Sequence, residues 1–553
     1  MEGSTAVKDK ADIVKNGICK GEVSANATTK EANGCVRQKT AKKSAARGKN
    51  RLGKVFSLLW YSWFVLECLL YYGVIFVVVL PFVPLLAVFF LLKMVERVVV
   101  KLTRGEHALS GQDAAWQQTR DENRLGINAV VHVASKNSFD DAVNGFRQVV
   151  LERMVNAKRP SGELLYPRIR CCIRPGFFQY FFQEDKSFRI ENHVFKWEGE
   201  IPTSKEELAS IASKLSNEAF PKGLSPWYFC CVPINYGDQG FAAVFRTSHS
   251  LADGVALTKF LVNQLPDPGR STPQKEPVKF TASTSKALLL AKAGLILPRF
   301  FIKLFLSFAD RSILHGPKIS GAKKLVWHEG FELELVKQIK TATGTTVNDV
   351  LMSCLSRAIR RYFQRRGVEN PPDFTASVPV DIRLSPASKK DLRFQNKFSL
   401  IFLKLAAATE DLLEQLHETK ARMDECKFSG EYLAMAGMII LTNELTPEFV
   451  VSNISDFIAQ KASCVLSNVP GPQNFLMVNG HQIKYITFWP PQRHNIAVGL
   501  SIYTYAGQVI VGVQSDASLL PDPEIIIKEF GKAVKDLADR VLHGNEITKH
   551  AVQ

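Results

Sequence analysis

From Val55 to Leu92 the chain is apolar at almost every position, and only Glu67 carries a formal charge. About twenty apolar residues cross a bilayer as a helix, so this stretch is nearly two spans long. Gly73 near its middle and Pro81 and Pro84 in its second half predict breaks. Lys42, Lys43, Arg47, Lys49, Arg51 and Lys54 precede it, and Lys93, Arg97, Lys101 and Arg104 follow it. Positive flanks favour the cytoplasmic side, so the pattern predicts a membrane segment over 55–92 that enters and leaves on one face as a hairpin; a single span is the alternative.

After Thr103 the rhythm becomes that of an alternating α/β protein. "INAVVHVAS", "YPRIRCCI" and "HVFKWEG" are strand-like, and "FDDAVNGFRQVVLERMV" has helical spacing with Asp140 and Asp141 in its first turn. "WYFCCVPINY" and "FAAVFRTSH", joined by "GDQG", predict a hairpin. The proline-rich "PDPGRSTPQKEPVK" divides the soluble part into halves over 105–265 and 325–545, with a linker over 266–324. Inside the linker, 286–308 predicts a helix with Lys292, Arg299 and Lys303 on one stripe and a kink at Pro298. That helix suits a membrane interface or, equally, a buried crossover with a wet edge. In the second half "TTVNDVLMSCLSRAIRRYFQRR" and "PDPEIIIKEFGKAVKDLADRVLHG" predict helices. "FTASVPVDIR", "KFSLIFLKLA", "ASCVLSNVP" and "IAVGLSIYTYAGQVIVGVQSD" supply strands.

Charge sharpens this picture. The formal net charge is +17, and residues 1–54 hold thirteen Lys and Arg against five Asp and Glu. This tail is poor in aromatic residues and is expected to be disordered, either drawn to anionic lipid or merely solvated. Basic charge gathered around a membrane segment, without a reading motif, points away from nucleic acid. None of the ten cysteines forms a CxxC pair, which fits reduced thiols in a chain facing the cytosol and no zinc site.

One stretch carries candidate chemistry. The strand pattern of "FAAVFRTSHS" stops at His249; Asp253 and Gly254 follow, then a helical pattern begins. A near-neutral imidazole takes a proton from an alcohol as the oxygen attacks an activated acyl carbon. Asp253 suits an arginine partner or a helix cap, and Gly254 suits a turn where a side chain would clash. Ser248 is adjacent, but consecutive strand residues face opposite ways and no GxSxG elbow exists, so a direct transfer without a covalent enzyme intermediate is the better reading.

"SHSLADG" resembles the HHxxxDG motif of the wax ester synthase/diacylglycerol acyltransferase family of coenzyme A-dependent acyltransferases. "LSGQDAAW", "LSPWYF", "TVNDVLMSCLSRAIRRYF", "VPVDIR", "QNKFS", "SNVPGP" and "SDASLLPDP" resemble further family stretches in order after residue 107. The resemblance implies two chloramphenicol-acetyltransferase-like domains with the site in a tunnel between them. It assigns general-base duty to His249 and support of the site to Asp253 and Gly254. To Asn348 and Asp349 it gives a contact with the donor or its carbonyl, the plain alternative for Asn348 being a helix-start residue without a catalytic part. Acyl-CoA is the implied substrate, with no cofactor or metal, and the acceptor is a long-chain alcohol or diacylglycerol at a membrane of the endoplasmic reticulum or a lipid droplet. The first motif histidine is replaced by Ser248, which leaves other acceptors (a sterol, a retinoid, an amine) or a non-catalytic lipid-binding role as rival readings.

Overall fold

A computed structural model of the chain describes residues 59–117, 124–269, 286–316, 319–383 and 390–543. The basic tail expected over 1–54 and most of the proline-rich stretch lie outside these residues. Leu59–Arg104 is one helix of 46 residues, interrupted only by a single 3-10 turn at Leu80–Phe82. The hairpin favoured from the two basic flanks is therefore not formed among the described residues, which follow the single-helix alternative. Pro81 and Pro84 each fall in the first turn of a helical piece, where a missing N–H forfeits no bond, so neither reverses the chain.

This helix runs on past Leu92, and its last turns differ in character from the rest. Lys93 and Glu96 are buried. The Lys93 ammonium donates to the Asn443 carbonyl at 2.6 Å. The Glu96 carboxylate accepts the backbone N–H groups of Phe177 and Phe178 at 2.6 and 3.1 Å. Arg97 donates to Gln179 at 2.8 Å and to Glu444 at 2.7 Å.

Two large sheets carry the body. The first runs Met477–Val478, His481–Trp489, Gly126–Ala134, Gly240–Ser248, Trp227–Ile234 and Val194–Lys196. The predicted hairpin is its centre: Trp227–Ile234 and Gly240–Ser248 are antiparallel, with Trp227 opposite Thr247. Both strands are buried at nearly every position, because the sheet is covered on both faces; Cys230 and Cys231 are both buried for that reason. The second sheet runs Phe398–Leu405, Phe374–Asp381, Cys464–Pro470, Val498–Tyr505, Gln508–Asp516 and Lys323–Trp327. Helices Val347–Arg365 and Glu524–Ala538 pack on it around a core that includes Leu355, Ile359, Phe374, Leu500 and Phe530.

Sequence order does not announce one connection. His481–Trp489 belongs to the second half by position, yet it pairs antiparallel with Gly126–Ala134 of the first, Trp489 opposite Asn128. A helical layer completes the body: Lys286–Leu306 packs on Glu431–Leu445, which also touches the long helix. The Tyr72 hydroxyl donates to the Gly294 carbonyl. Pro298 lies inside Lys286–Leu306, and Phe305 of that helix stacks on Phe457 of Glu448–Ala459.

Candidate active site

His249 follows directly on the strand Gly240–Ser248, whose last residue pairs with Gly126. The strand delivers the ring, and the helix Gly254–Asn263 begins directly after Asp253. Asp253 is the N-cap of that helix: one of its oxygens accepts the Ala256 N–H at 2.8 Å, satisfying a donor that the helix itself leaves open. The same carboxylate pairs with Arg383 at 2.9 Å, both side chains being almost fully buried. It also accepts the Lys397 N–H at 2.7 Å. Asp253 thus touches two segments of the second half and not the imidazole.

Gly254 departs from expectation. It is the first helical residue, its φ is not left-handed, and a Cβ placed there would meet nothing within 4 Å. The clash predicted at this position does not exist.

The imidazole sits on the seam between the halves. Trp116 stacks on it at 4.2 Å, and Phe398 leans over it at 5.3 Å. Its Nδ1 lies 3.0 Å from Oδ1 of Asn396. The Asn396 amide nitrogen donates to the His249 backbone carbonyl at 2.7 Å and to Asp113 at 2.8 Å. Asp113 is fully buried, pairs with Arg168 at 2.9 Å and accepts the Ser110 hydroxyl at 2.7 Å. Burial pushes the His249 pKa down to about 4; Asp253, a hydrogen bond to the residue's own backbone, Asn396 and Asp113 oppose that shift without reversing it. The ring is therefore neutral at physiological pH, and its Nε2 has no hydrogen-bond partner among the described residues. A neutral imidazole with an uncommitted nitrogen is the state a base requires.

Ser248 does not share this arrangement. Its hydroxyl accepts from the Gln117 amide at 3.1 Å, and that amide also donates to Ser250 at 2.7 Å. Asn348 and Asp349 lie at the start of Val347–Arg365 with partners of their own. Asp349 closes a capping box with Thr346, each side chain bonding the other's backbone N–H. Asn348 accepts from Asn468 at 3.1 Å. None of these bonds reaches His249. Among the described residues no group of three His, Cys, Asp or Glu side chains is placed to hold a metal.

Asn396, Asp113, Arg168, Arg383 and Trp116 carry the site, and the sequence reading assigned none of them a role. Asp113 and Trp116 lie in "LSGQDAAW", Arg383 in "VPVDIR" and Asn396 in "QNKFS", stretches noted for their family resemblance without a role for these side chains. Two sheets, the first of which takes in a strand from the second half, with a histidine at a strand end held by loops of the other half, form a chloramphenicol-acetyltransferase-like fold. Solved structures share it: a wax ester synthase/diacylglycerol acyltransferase from Marinobacter aquaeolei VT8 aligns with TM-score 0.56 at 19% identity, over 78% of this chain and 98% of that one. The trichothecene 15-O-acetyltransferase TRI3 from Fusarium sporotrichioides aligns with TM-score 0.52 at 10% identity, over 78% and 95%. Residues 109–303 match the wax ester synthase/diacylglycerol acyltransferase catalytic domain, and residues 394–538 match the WS/DGAT C-terminal domain. The chain belongs to that family and is an acyltransferase. Wax ester synthase/diacylglycerol acyltransferase 8 from Arabidopsis thaliana is 27% identical over 349 residues, 53% of this chain and 70% of the relative.

Proposed function

We propose that this acyltransferase moves a fatty acyl group from acyl-CoA to the hydroxyl of a long-chain alcohol or of diacylglycerol, at a membrane, with His249 as general base. The alcohol proton passes to Nε2 as the oxygen attacks the thioester carbonyl. The carbon–sulfur bond then breaks, the proton goes to the departing thiolate, and ester and free CoA leave. Asp253 supports the loop, and Gly254 borders it. Asn348 and Asp349 remain candidates for contact with the donor. The observation that carries the reading is the division of labour on the imidazole: Nδ1 is committed to Asn396 while Nε2 is left for substrate. Ser248 being held by Gln117 supports direct transfer over an acyl-serine intermediate.

Membrane lipid as a partner is supported by the surface. Trp60, Trp63, Phe76, Val77 and Leu80 of the long helix are exposed, as are Phe177, Phe308, Leu441 and Phe449 on or near the helical layer. A helix of 46 residues is roughly 69 Å long, more than twice a ~30 Å hydrocarbon core. Lys93, Glu96 and Arg97 bind the catalytic body, so the lipid-covered part ends before Lys93. The chain would work on the cytosolic face of the endoplasmic reticulum or a lipid droplet.

The test expresses the full chain in membranes lacking neutral-lipid synthesis, with labelled acyl-CoA and a panel of alcohol, diacylglycerol, sterol, retinoid and amine acceptors. Ester should form with alcohol or diacylglycerol, and His249→Ala should lower it by about 10²–10⁴-fold. Equal product from wild type and variant would sink the base assignment. Product only with a sterol, retinoid or amine would replace the acceptor.

A further inference from the structure

Asn396 lies between the buried carboxylate of Asp113 and the imidazole of His249, and its amide has only one orientation that fits. The amide nitrogen faces two groups that only accept hydrogen bonds: Asp113 Oδ1 at 2.8 Å and the His249 carbonyl oxygen at 2.7 Å. Turning the amide over would set its oxygen against both acceptors and leave no hydrogen between them. Asp113 remains an acceptor because Arg168 pairs with it at 2.9 Å and the Ser110 hydroxyl donates to it at 2.7 Å. Asn396 Oδ1 is thereby aimed at His249 Nδ1, 3.0 Å away. An amide oxygen cannot donate, so Nδ1 must supply the hydrogen. In a neutral ring the other nitrogen then holds the lone pair.

We infer that Asn396, oriented by Asp113 and Arg168, is a positioning residue that locks His249 in the tautomer with hydrogen on Nδ1 and so keeps Nε2 ready to take a substrate proton. The inference rests on the reading of His249 as base. It also accounts for an otherwise costly feature, a fully buried carboxylate and its guanidinium partner next to the site but not touching the imidazole. The amide passes on the orientation that the carboxylate dictates, without setting a second negative charge against the ring. The charged groups facing His249 are Asp253 on its own loop and Asp113 from the segment before the first sheet, backed by Arg383 and Arg168; Trp116 stacks on the ring and Phe398 lies tilted beside it. A carboxylate in the amide's place would therefore oppose Asp113 and the His249 carbonyl with an oxygen and lose that orientation.

The experiment labels the full chain with nitrogen-15 histidine in detergent micelles and reads the imidazole nitrogens at pH 7, with His249→Ala identifying the signal. Wild type should show a protonated Nδ1 and a bare Nε2. Asn396→Ala should populate the Nε2–H form and lower kcat by at least about 10²-fold, the scale of loss when a base is left in the wrong tautomer, with KM for acyl-CoA within about twofold. Asn396→Asp, nearly the same shape, sets an oxygen against Asp113 and the His249 carbonyl, so it should lose the tautomer and kcat as Asn396→Ala does. A wild-type ring with hydrogen on Nε2 would overturn the inference, and so would an Asn396→Ala enzyme with unchanged tautomer and kcat. If His249→Ala turns over normally while the wild-type ring shows hydrogen on Nδ1, the base reading alone falls.

Discussion

Two buried charges decide how His249 is held, and they answer to different tests. Asp253 and Arg383 are almost fully buried and span the two halves. Removing one member of such a pair leaves the other uncompensated, a loss of about 3–5 kcal/mol when nothing replaces it. Asp381, 3.0 Å from the same guanidinium, retains part of the pairing. Asp253→Ala should therefore lower the thermal midpoint clearly and abolish activity together, measured by calorimetry and ester formation. Gly254→Ala should behave in the opposite way. Its Cβ meets open space, and alanine favours a helix by up to about 1 kcal/mol over glycine, so the melting temperature should hold or rise. If activity falls in that folded variant, the open space is occupied by substrate. The pH dependence follows from the lowered pKa of His249, about 4. In the unfolded chain the ring binds a proton below about pH 6.5. In the folded protein it does so only near 4, so between 6.5 and 4 the unfolded state holds more protons and stability falls as pH falls. Urea titrations should show a smaller acid loss over that window for His249→Gln than for wild type, and the acidic limb of kcat/KM should lie well below 6.5.

At the level of elements, the strand that ends in His249 depends on how it begins. Gly240 has φ +151, and a Cβ there would approach the Val133 carbonyl oxygen to 2.1 Å. That contact is between two backbones in one sheet, so neither side can give way. Gly240→Ala should cost toward the upper end of the roughly 0.5–3 kcal/mol usual for single substitutions, read as a shift in urea midpoint, and should loosen the histidine with it. The hairpin that Gly240 opens was legible from the sequence because both strands and the turn between them are local. So were the helix capped by Thr346 and the closing helix Glu524–Ala538, the first from its cap and both from their apolar spacing, which are local signals. The strand His481–Trp489 was not, since its partner Gly126–Ala134 lies some 350 positions earlier and no local rule names it. Asn396 escaped for the same reason: an amide in a loop acquires meaning only when the fold sets it against a histidine and an aspartate from the other half. Pro81 and Pro84, expected to break the long helix, do not, because a proline's effect depends on where in a turn it falls and both fall where the helix tolerates them.

The whole molecule joins an exposed apolar surface to the site through packed elements. Lys93, Glu96 and Arg97 fasten the long helix to the Phe177–Gln179 loop and to the end of Glu431–Leu445. That second helix packs on the Ser110 segment, which carries Asp113 and Trp116 to the imidazole. Phe177 and Phe449 stand exposed around this junction, at 95% and 67%, and Leu441 at 52%. Each large apolar side chain transferred from water to lipid contributes about 1.5–3 kcal/mol, so changing all three to Asp should weaken binding of the chain to vesicles of neutral phospholipid well over tenfold in a flotation assay. None of the three lies within the hydrogen-bonded or stacked shell of His249. Turnover of a short, water-soluble alcohol should therefore persist in the triple variant while turnover of a vesicle-borne long-chain alcohol collapses. Equal loss on both acceptors would mean that these residues support the fold rather than bring the site to its lipid.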